Sequence, residues 1–306
     1  MSKFLITIVG PTAIGKTSLA IKLAKKYKTE VISADSRQFY RELNIGTAKP
    51  SNDELSSVKH HLINNISVTD KYDISHFESD ARKIIDNLFK TKDYIILVGG
   101  SGLYIDTILY GIDKIPNVED SLREKLNQEF QNNGLKNLLA QLKKIDPVTY
   151  KNIDLSNHRR IIRALEVSIS SKKPYSSFLT NPSKQSNYNE IIIGLNCDRD
   201  KLHSLINKRV DKMIKCGLIE EVKTLKKFKN LNALNTIGYK EIFDYLNNQT
   251  SLEESVEKIK TNSRRYAKRQ LTYFNSNKKI NWFENQYEIK NIIKLIESKR
   301  ITQQLT

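Results

Sequence analysis

The 306-residue chain carries a formal net charge of +17, and 39% of its residues are hydrophobic, which supports a packed core. No apolar run approaches the ~18 residues of a membrane-spanning helix, so a membrane protein is not indicated. Two isolated cysteines, Cys197 and Cys216, argue against a disulfide framework or a zinc site, and a reducing cytoplasm is the expected location. The first strand-like run begins at Phe4, so we expect no signal or transit peptide.

The charge is distributed unevenly along the chain. Residues 1–150 contain 21 lysines and arginines against 18 aspartates and glutamates, whereas residues 151–306 contain 30 against 16. A basic half beside a near-neutral half predicts a polyanionic partner, and nucleic acid is favoured over a membrane surface. The alternative is a lysine-rich composition that makes every surface basic.

A glycine-rich loop follows the first strand-like segment, Phe4–Val9, and precedes a helical pattern. The loop consists of Gly10, Pro11, Thr12, Ala13, Ile14, Gly15, Lys16 and Thr17. In this strand–loop–helix context, G-x-x-x-x-G-K-[ST] predicts a phosphate-binding P-loop. Backbone N–H groups would surround a phosphate, Lys16 would neutralise it, and the Thr17 hydroxyl would hold Mg²⁺. Taken alone, the loop points to ATP.

Strand-like and helix-like segments alternate over the first 115 residues, including apolar runs at 30–34 and 94–98. This alternation predicts an α/β fold, a P-loop NTPase-like core with a mostly parallel sheet flanked by helices. Strand signals vanish from 116 to 189, and the run 190–195 predicts a return to the sheet. We therefore predict an inserted all-helical module, residues 116–189, within a core domain of residues 1–115 and 190–306. The last twenty or so residues resemble a loosely held tail.

Asp35 follows the second strand, at the sheet edge where α/β proteins bind ligands and where the glycine-rich loop also lies. It could serve as a general base, a metal ligand or a helix N-cap. A later strand, Tyr94–Val98, runs into glycines without the acidic Mg²⁺ ligand that nucleotide-hydrolysing proteins usually carry. This absence weakens the prediction of a P-loop kinase for a small metabolite. The pair His60-His61 lacks metal-ligand spacing and is treated as structural.

Arg209 falls in the middle of an apolar helical stripe in the segment 202–214. An arginine in that position needs a partner, because desolvating an unpaired charge is costly. A ligand phosphate and an internal salt bridge are both possible partners.

Two groups of basic residues lie on predicted helices. The C-terminal ridge consists of Arg264, Arg265, Lys268 and Arg269, and the smaller group in the inserted module consists of Arg159, Arg160 and Arg163. Either group could track a phosphate backbone, and an ordinary solvated helix face is the alternative for both.

Eight ordered motifs resemble those of the tRNA dimethylallyltransferases, also called tRNA isopentenyltransferases. The motifs are GPTAIGKT (10–17), DSRQFY (35–40), NIGTAKP (44–50), HHLI (60–63), LVGGSGLY (97–104), RRIIRALE (159–166), IGYKE (237–241) and AKRQLTY (267–273). The resemblance runs from about Phe4 to Phe283. No C-x-x-C occurs, so the zinc-finger tail of eukaryotic members is absent and a bacterial-type enzyme is the better comparison.

The resemblance implies transfer of a dimethylallyl group from dimethylallyl diphosphate to N6 of adenosine 37 in tRNA. The glycine-rich loop would then hold the leaving diphosphate, together with Lys16, Mg²⁺ and Arg209. Thr12 would hydrogen-bond the bridging oxygen, and Asp35 would accept the proton of the adenine amine. The adenine would leave its stack to enter the site.

The inserted module would grip the anticodon arm of the tRNA. By resemblance, the residues expected to contact tRNA are Asp35, Ser36, Arg37, Gln38, Ser101, Arg123, Arg159, Arg160, Ile161, Ile162, Arg163, Ile237, Gly238, Tyr239, Lys240 and Gln270. The basic ridge adds Arg264 and Lys268. Ser101 stands where the family often has threonine and keeps the hydroxyl. Arg159 replaces a common glutamine, which favours a phosphate contact over readout of a base edge.

Other functions compete with this interpretation. An adenylate isopentenyltransferase acting on free nucleotide shares the loop and the Asp35 element, but it needs neither an inserted module nor a basic ridge. A non-catalytic RNA-binding protein would have no use for Thr12, Lys16, Asp35 and Arg209 together. A monomer is the expected state.

Overall fold

In the computed structural model, which describes residues 3–180 and 187–304, six parallel strands form one sheet in the order β3-β2-β4-β1-β5-β6. The strands are Phe4–Val9 (β1), Val31–Ser33 (β2), His60–His61 (β3), Tyr94–Val98 (β4), Asn189–Asn196 (β5) and Ile280–Glu284 (β6). In the centre, Ile6 of β1 pairs with Ile96 on one side and Ile191 on the other. The predicted mostly parallel sheet is confirmed, and every pairing between its strands is parallel.

Helices account for most of the remaining described chain. They are Lys16–Lys26 (α1), Asn52–Ser57 (α2), Ile74–Leu88 (α3), Gly102–Leu109 (α4), Asp120–Asn133 (α5), Leu135–Ile145 (α6), Pro147–Asn152 (α7), His158–Ser171 (α8), Arg199–Lys215 (α9), Leu218–Thr224 (α10), Tyr239–Leu246 (α11), Leu252–Asn275 (α12) and Ile289–Gln304 (α13). None of those described is long and apolar enough to cross a membrane.

The chain divides into two compact units. The first comprises Met1–Leu109 and Gln185–Thr306, and the second comprises Tyr110–Lys184. The first unit contains the whole sheet, and the second contains α5 to α8. The sequence-based boundaries of the inserted module, 116 and 189, lie within a few residues of these limits.

The first unit buries its sheet because the central strands consist of apolar residues on both faces. All described side chains of β1 and β4 are buried. The core around the sheet includes Ile292 and Ile296 of α13, both fully buried. The C-terminal segment therefore packs as part of the first unit, and the prediction of a loosely held tail is wrong.

Helix α12 contributes residues to the cavity described below, although it lies far along the chain from the glycine-rich loop. It begins at a capping box: the Ser251 side chain accepts from the Glu254 N–H, while the Glu254 side chain accepts from the Ser251 N–H. Along the helix, Ile259, Ala267, Gln270 and other residues at helical spacing are buried. Two buried positions of α12 are polar, Ser255 and Gln270.

The second unit has its own small core. Leu126, Leu138 and Leu165 are buried at its centre. Asp146, also buried, accepts hydrogen bonds from the backbone and side chains of Thr149 and Ser176. These four donors satisfy the carboxylate and hold α7 to the segment after α8.

Two residues predicted to contact tRNA belong to that core. Ile161 and Ile162 are 0% and 4% exposed. They lie on the face of α8 that packs against the other helices of the second unit, because the helical period turns them away from Arg159 and Arg160. The prediction of direct contact is wrong for their side chains.

Candidate active site

Residues 10–15 of the glycine-rich loop connect β1 directly to α1, and its last two residues, Lys16 and Thr17, begin that helix. Gly10 and Gly15 have φ values of 143° and 99°, which favour glycine, and a Cβ atom on Gly10 would lie 2.4 Å from the Leu195 carbonyl oxygen. The Lys16 ammonium donates to the carbonyl oxygens of Gly10 at 2.9 Å and Pro11 at 2.7 Å. The loop thus curls around the lysine at the start of α1.

A cavity of ≈ 320 Å³ opens above the loop and gathers residues from distant parts of the first unit. It brings together Thr12, Lys16, Thr17, Asp35 and Arg209, all of which the sequence predicted to act in catalysis or in phosphate and metal binding. Because these side chains come from the loop, the end of β2 and α9, only the folded topology places them at one site.

Three of the ionisable side chains that line the cavity, Lys16, Arg209 and Asp35, act on one another through their charges. Burial and, to a smaller extent, the nearby Arg209 charge lower the pKa of Lys16 to about 7, although Asp35 acts in the opposite direction. Burial also lowers the pKa of Arg209, while Asp35 counteracts the shift. The Arg209 guanidinium donates to the Thr47 carbonyl oxygen at 3.4 Å, a neutral partner. Lys16 and Arg209 repel each other, so an anion in the cavity would relieve both.

Asp35 lies two residues after the end of β2 and does not begin a helix. Its Oδ1 accepts a hydrogen bond from the Arg37 N–H at 2.9 Å, and residues 36–39 form turns. The helix N-cap alternative is therefore wrong, and the local Asx-type turn aims the carboxylate from the strand end toward the cavity that it lines.

The residues after Asp35 are held by a local network. The Ser101 hydroxyl accepts from the Ser36 N–H at 3.3 Å, and the Gln38 amide donates to the Thr47 carbonyl oxygen at 3.3 Å. The Arg37 guanidinium donates to the Asn232 carbonyl oxygen at 3.0 Å. All four predicted contact residues, Ser36 to Gln38 and Ser101, are half-buried at this edge of the sheet.

Gln270 is buried beneath the loop. Its Oε1 accepts from the Thr12 N–H, and its Nε2 donates to the Gly100 carbonyl oxygen, both at 2.8 Å. A Cβ atom on Gly100 would lie 2.2 Å from that Nε2, so a larger residue there would displace the Gln270 amide from this position. Gln270 therefore supports the loop, and because it also lines the cavity, its predicted contact with tRNA stays a prediction.

Tyr266 and Lys49 line the cavity although the sequence interpretation gave neither a role there. Burial and the Asp35 charge raise the pKa of Tyr266 to about 12, so its phenol stays protonated. Burial lowers the pKa of Lys49 to about 8. The sequence offers no signal for Tyr266, because a helical period alone cannot distinguish a face that packs in the core from a face that lines a cavity.

The two adjacent histidines occupy different environments. His61 lies 2.6 Å from a carboxylate oxygen of Glu30, a structural pairing at the sheet edge. His60 lines the cavity, its Nδ1 contacts the Val58 carbonyl oxygen at 2.8 Å, and burial lowers its pKa. The structural interpretation fits His61 better than His60.

Two of the four residues in the predicted contact segment 237–240 are buried. Tyr239 is 0% exposed and donates its hydroxyl to Glu221 at 2.6 Å, and Gly238 is buried with its N–H bonded to Glu241. Direct contact with tRNA is therefore wrong for Tyr239 and Gly238. Ile237 is half-buried, and Lys240 is exposed.

The basic ridge on α12 is less uniform than its sequence suggests. Arg265, Lys268 and Arg269 are exposed, and the Arg269 guanidinium lies over the Tyr266 ring at 5.8 Å from its centroid. Arg264 instead donates to the Asn207 side chain of α9 at 2.7 Å and is half-buried. Arg264 therefore joins α12 to α9 in addition to contributing a positive charge.

In the second unit, a buried carboxylate organises two of the predicted arginines. Glu166 is fully buried, and its oxygens accept from Arg123 at 2.6 and 2.7 Å and from Arg163 at 2.7 Å. Burial alone would raise the pKa of Glu166, but these hydrogen bonds outweigh it and hold the pKa below its usual value. Arg159 and Arg160 are exposed on the same helix.

Comparison with known protein families identifies the family of this chain. The family described as IPP transferase matches residues 38–277. The chain belongs to the IPP transferase family. Its relatives include the tRNA dimethylallyltransferase of Christiangramia forsetii, 50% identical over 98% of this chain and 99% of the relative. That of Flavobacterium johnsoniae is 46% identical over 96% of this chain and 97% of the relative.

Solved structures of the IPP transferase family show the same fold. The full-length tRNA isopentenylpyrophosphate transferase of Bacillus halodurans is 36% identical, with a TM-score of 0.71, and the match covers 99% of this chain and 96% of that one. A eukaryotic dimethylallyltransferase acting on tRNA is 27% identical, with a TM-score of 0.78, over 93% of this chain and 74% of that one. The predicted family and its P-loop NTPase-like core are confirmed.

Proposed function

We propose that this enzyme transfers a dimethylallyl group from dimethylallyl diphosphate to N6 of adenosine 37 in tRNA, giving N6-(dimethylallyl)adenosine and diphosphate. The observation that carries the proposal is one cavity in which Lys16 and Arg209 meet the carboxylate of Asp35. Relatives up to 50% identical that are named tRNA dimethylallyltransferase support it.

The cations serve the leaving group. Breaking the allylic C1–O bond places negative charge on diphosphate, and preorganised positive groups stabilise that charge as it develops. Lys16, Arg209 and the backbone of the glycine-rich loop are arranged for this role. The hydroxyl of Thr12, which also lines the cavity, would hydrogen-bond the oxygen that bridges carbon and phosphorus.

The cavity also fits a magnesium ion. Thr17 supplies a hydroxyl oxygen, and the described residues contain no cluster of three or more His, Cys, Asp or Glu that could form a protein-only metal site. This donor set suits Mg²⁺, which is commonly held by one or two protein oxygens, waters and substrate phosphates. When bound, the ion supplies further charge stabilisation to the departing diphosphate.

Asp35 serves the nucleophile. The N6 lone pair forms the new C–N bond as the C1–O bond breaks, the bonding electron pair leaves with diphosphate, and the N6 proton goes to the Asp35 carboxylate. The adenine must leave the anticodon-loop stack to enter a recessed cavity, so base extrusion accompanies binding.

Basic side chains hold the tRNA outside the cavity. In the proposed arrangement, exposed arginines of the second unit, Arg159 and Arg160, bind backbone phosphates of the anticodon arm, and Lys268 of the first unit adds another contact. We propose a monomer acting in the cytoplasm, where it would meet its tRNA substrates.

One assay tests the proposal. The protein is incubated with Mg²⁺, labelled dimethylallyl diphosphate and either unmodified tRNA or AMP, and a transcript with guanosine at position 37 serves as control. Label in N6-alkylated adenosine of the tRNA, absent from the control transcript, is the expected result. Label in AMP alone would identify an adenylate isopentenyltransferase. Tight tRNA binding without any transfer would identify a non-catalytic RNA-binding protein.

A further inference from the structure

The segment of residues 44–50, here called the 44–50 loop, forms one wall of the cavity. Ala48, Lys49 and Pro50 line it. The Thr47 carbonyl oxygen accepts from both Arg209 and Gln38, and the Ala48 carbonyl oxygen accepts from Gln38 at 3.4 Å. Because two side chains of the cavity depend on these carbonyl oxygens, the position of the loop determines where their donor groups lie.

A single carboxylate on α10, that of Glu221, holds this loop in place. Its Oε2 accepts from the N–H groups of Asn44 at 3.1 Å and Ile45 at 2.8 Å. Its Oε1 accepts from the N–H of Gly46 at 3.1 Å and from the Tyr239 hydroxyl at 2.6 Å. Three successive backbone N–H groups therefore converge on one side chain, an arrangement that needs an acceptor on both of its terminal atoms.

The surrounding contacts leave the 44–50 loop little freedom. The Tyr239 ring is fully buried, and a Cβ atom on Gly46 would lie 2.4 Å from it. Ala48 adopts a positive φ of 44°, a conformation that an L-residue keeps only when its surroundings enforce it. Burial, together with the Glu221 charge, raises the pKa of Tyr239, so its phenol remains a donor to that carboxylate.

We propose that Glu221 is a positioning residue for the transfer reaction: its carboxylate fixes the 44–50 loop so that the Thr47 and Ala48 carbonyl oxygens hold Arg209 and Gln38 at the cavity. The consequence for catalysis rests on the proposed function, in which Arg209 stabilises the leaving diphosphate. Glu221 acts through the loop and touches no substrate. Its loss should therefore weaken diphosphate binding much more than tRNA binding.

The first test replaces Glu221 by glutamine and measures binding of inorganic pyrophosphate with Mg²⁺ by calorimetry, a probe that needs no turnover. Glu221→Gln keeps one acceptor oxygen and places an N–H₂ group against backbone N–H groups, so we expect about tenfold weaker pyrophosphate binding. Its tRNA affinity should stay within about twofold of the wild type. The matched control is Glu220→Gln, because Glu220 is exposed and ion-paired only locally, with Lys223 at 2.8 Å; it should change neither affinity.

The second test separates positioning from general stabilisation through a double-mutant cycle with Arg209→Ala. If Glu221 acts through Arg209, the Glu221→Gln change should cost less than about twofold in pyrophosphate affinity once Arg209 is gone. Fully additive losses, or an unchanged affinity in the single variant, would overturn the proposal. So would equal losses of pyrophosphate and tRNA affinity accompanied by a lower melting temperature.

A third variant keeps the inference testable if Glu221→Gln does not fold. Glu221→Asp retains the charge but withdraws the carboxylate by one methylene group. It should weaken pyrophosphate binding when Arg209 is present and have no such effect in the Arg209→Ala variant. The cycle does not depend on the transfer assay. Failure of the wild-type protein to alkylate tRNA would reject the proposed function while these binding data still decide the role of Glu221.

Discussion

Oε1 of Gln270 accepts a hydrogen bond from the backbone N–H of Thr12 at 2.8 Å, across 258 positions of sequence. The other end of the same amide donates to the Gly100 carbonyl oxygen. One side chain on α12 thus joins the glycine-rich loop to the end of β4. Because this N–H is already bonded, the proposed contact of Thr12 with the bridging oxygen of the substrate belongs to its hydroxyl.

Gln270→Glu should reduce kcat/KM for dimethylallyl diphosphate by about 10- to 100-fold. The variant keeps an acceptor for Thr12 but replaces the donor to Gly100 with an oxygen, so a buried carboxylate would face a buried carbonyl. Steady-state kinetics with saturating tRNA provide the measurement. The control is Thr272→Ala on the exposed side of α12, where the hydroxyl bonds only within the helix, to the Lys268 carbonyl oxygen.

The same variant separates two roles for Gln270. A supporting role beneath the loop predicts normal tRNA affinity in a filter-binding assay. Selective loss of tRNA affinity, with donor affinity intact, would instead restore Gln270 as an RNA contact.

The parts of the site that the sequence predicts are those specified by local order. Glycines, lysine and threonine at fixed spacing after a strand define the loop of residues 10–17, and a strand end places Asp35 at the same sheet edge. The place of Arg209 within an apolar stripe predicts that it has a partner, because a charge in that position is costly when it is unpaired. Each of these residues carries its signal within one element.

Residues whose roles depend on distant contacts could not be predicted in this way. Gln270 and Glu221 act through hydrogen bonds between elements far apart in the chain, and no local pattern encodes those pairs. Family motifs misled for a different reason. A motif spans a whole helix turn, so Ile161 and Tyr239 share motifs with exposed cations although their own side chains are buried.

Lys16 should make pyrophosphate binding depend on pH. Burial, reinforced by Arg209, lowers its pKa to about 7, so the ammonium is charged below pH 7 and increasingly neutral above it. Because the anion binds the charged form, the affinity of the free enzyme should fall by up to about tenfold per pH unit above pH 7. Calorimetry between pH 6 and 9 measures this slope. Lys16→Arg, whose guanidinium stays charged, should remove the part of the pH dependence that comes from Lys16. An unchanged slope in this variant would assign the pH dependence to the ligand or to another group.

Asp35→Asn should lower kcat by at least about 100-fold while tRNA affinity stays close to that of the wild type. An amide has nearly the shape of the carboxylate but cannot take the N6 proton, and its oxygen can still accept from the Arg37 N–H. Single-turnover rates and tRNA binding are measured on one preparation. Asp53→Asn, an exposed change on α2, controls for loss of negative charge. A large drop in tRNA affinity would mean that Asp35 positions RNA.

Two arginines of α8 should respond differently to truncation. Arg163→Ala removes one partner of the buried Glu166 carboxylate and should lower the melting temperature, because a buried charge loses a hydrogen bond. Arg160→Ala removes an exposed cation and should weaken tRNA binding about two- to tenfold without changing stability. Thermal unfolding and filter binding on both variants make the comparison. The opposite pattern would place Arg163 at the RNA and Arg160 in the fold.

The exposed cations of α12 should determine part of the salt dependence of tRNA binding. Releasing counterions from one phosphate contact changes the slope of log K against log salt by about 0.7 to 0.9, so Arg265→Ala with Lys268→Ala should flatten it by roughly 1.5. Arg264 is left intact, because its bond to Asn207 joins α12 to α9. Lys22→Ala with Lys25→Ala removes two exposed charges from α1 and should leave the slope unchanged. Equal slopes for the wild type and the α12 variant would show that these side chains face solvent in the complex. The salt-dependent contacts would then come from other cations, and the arginines of α8 are the first candidates.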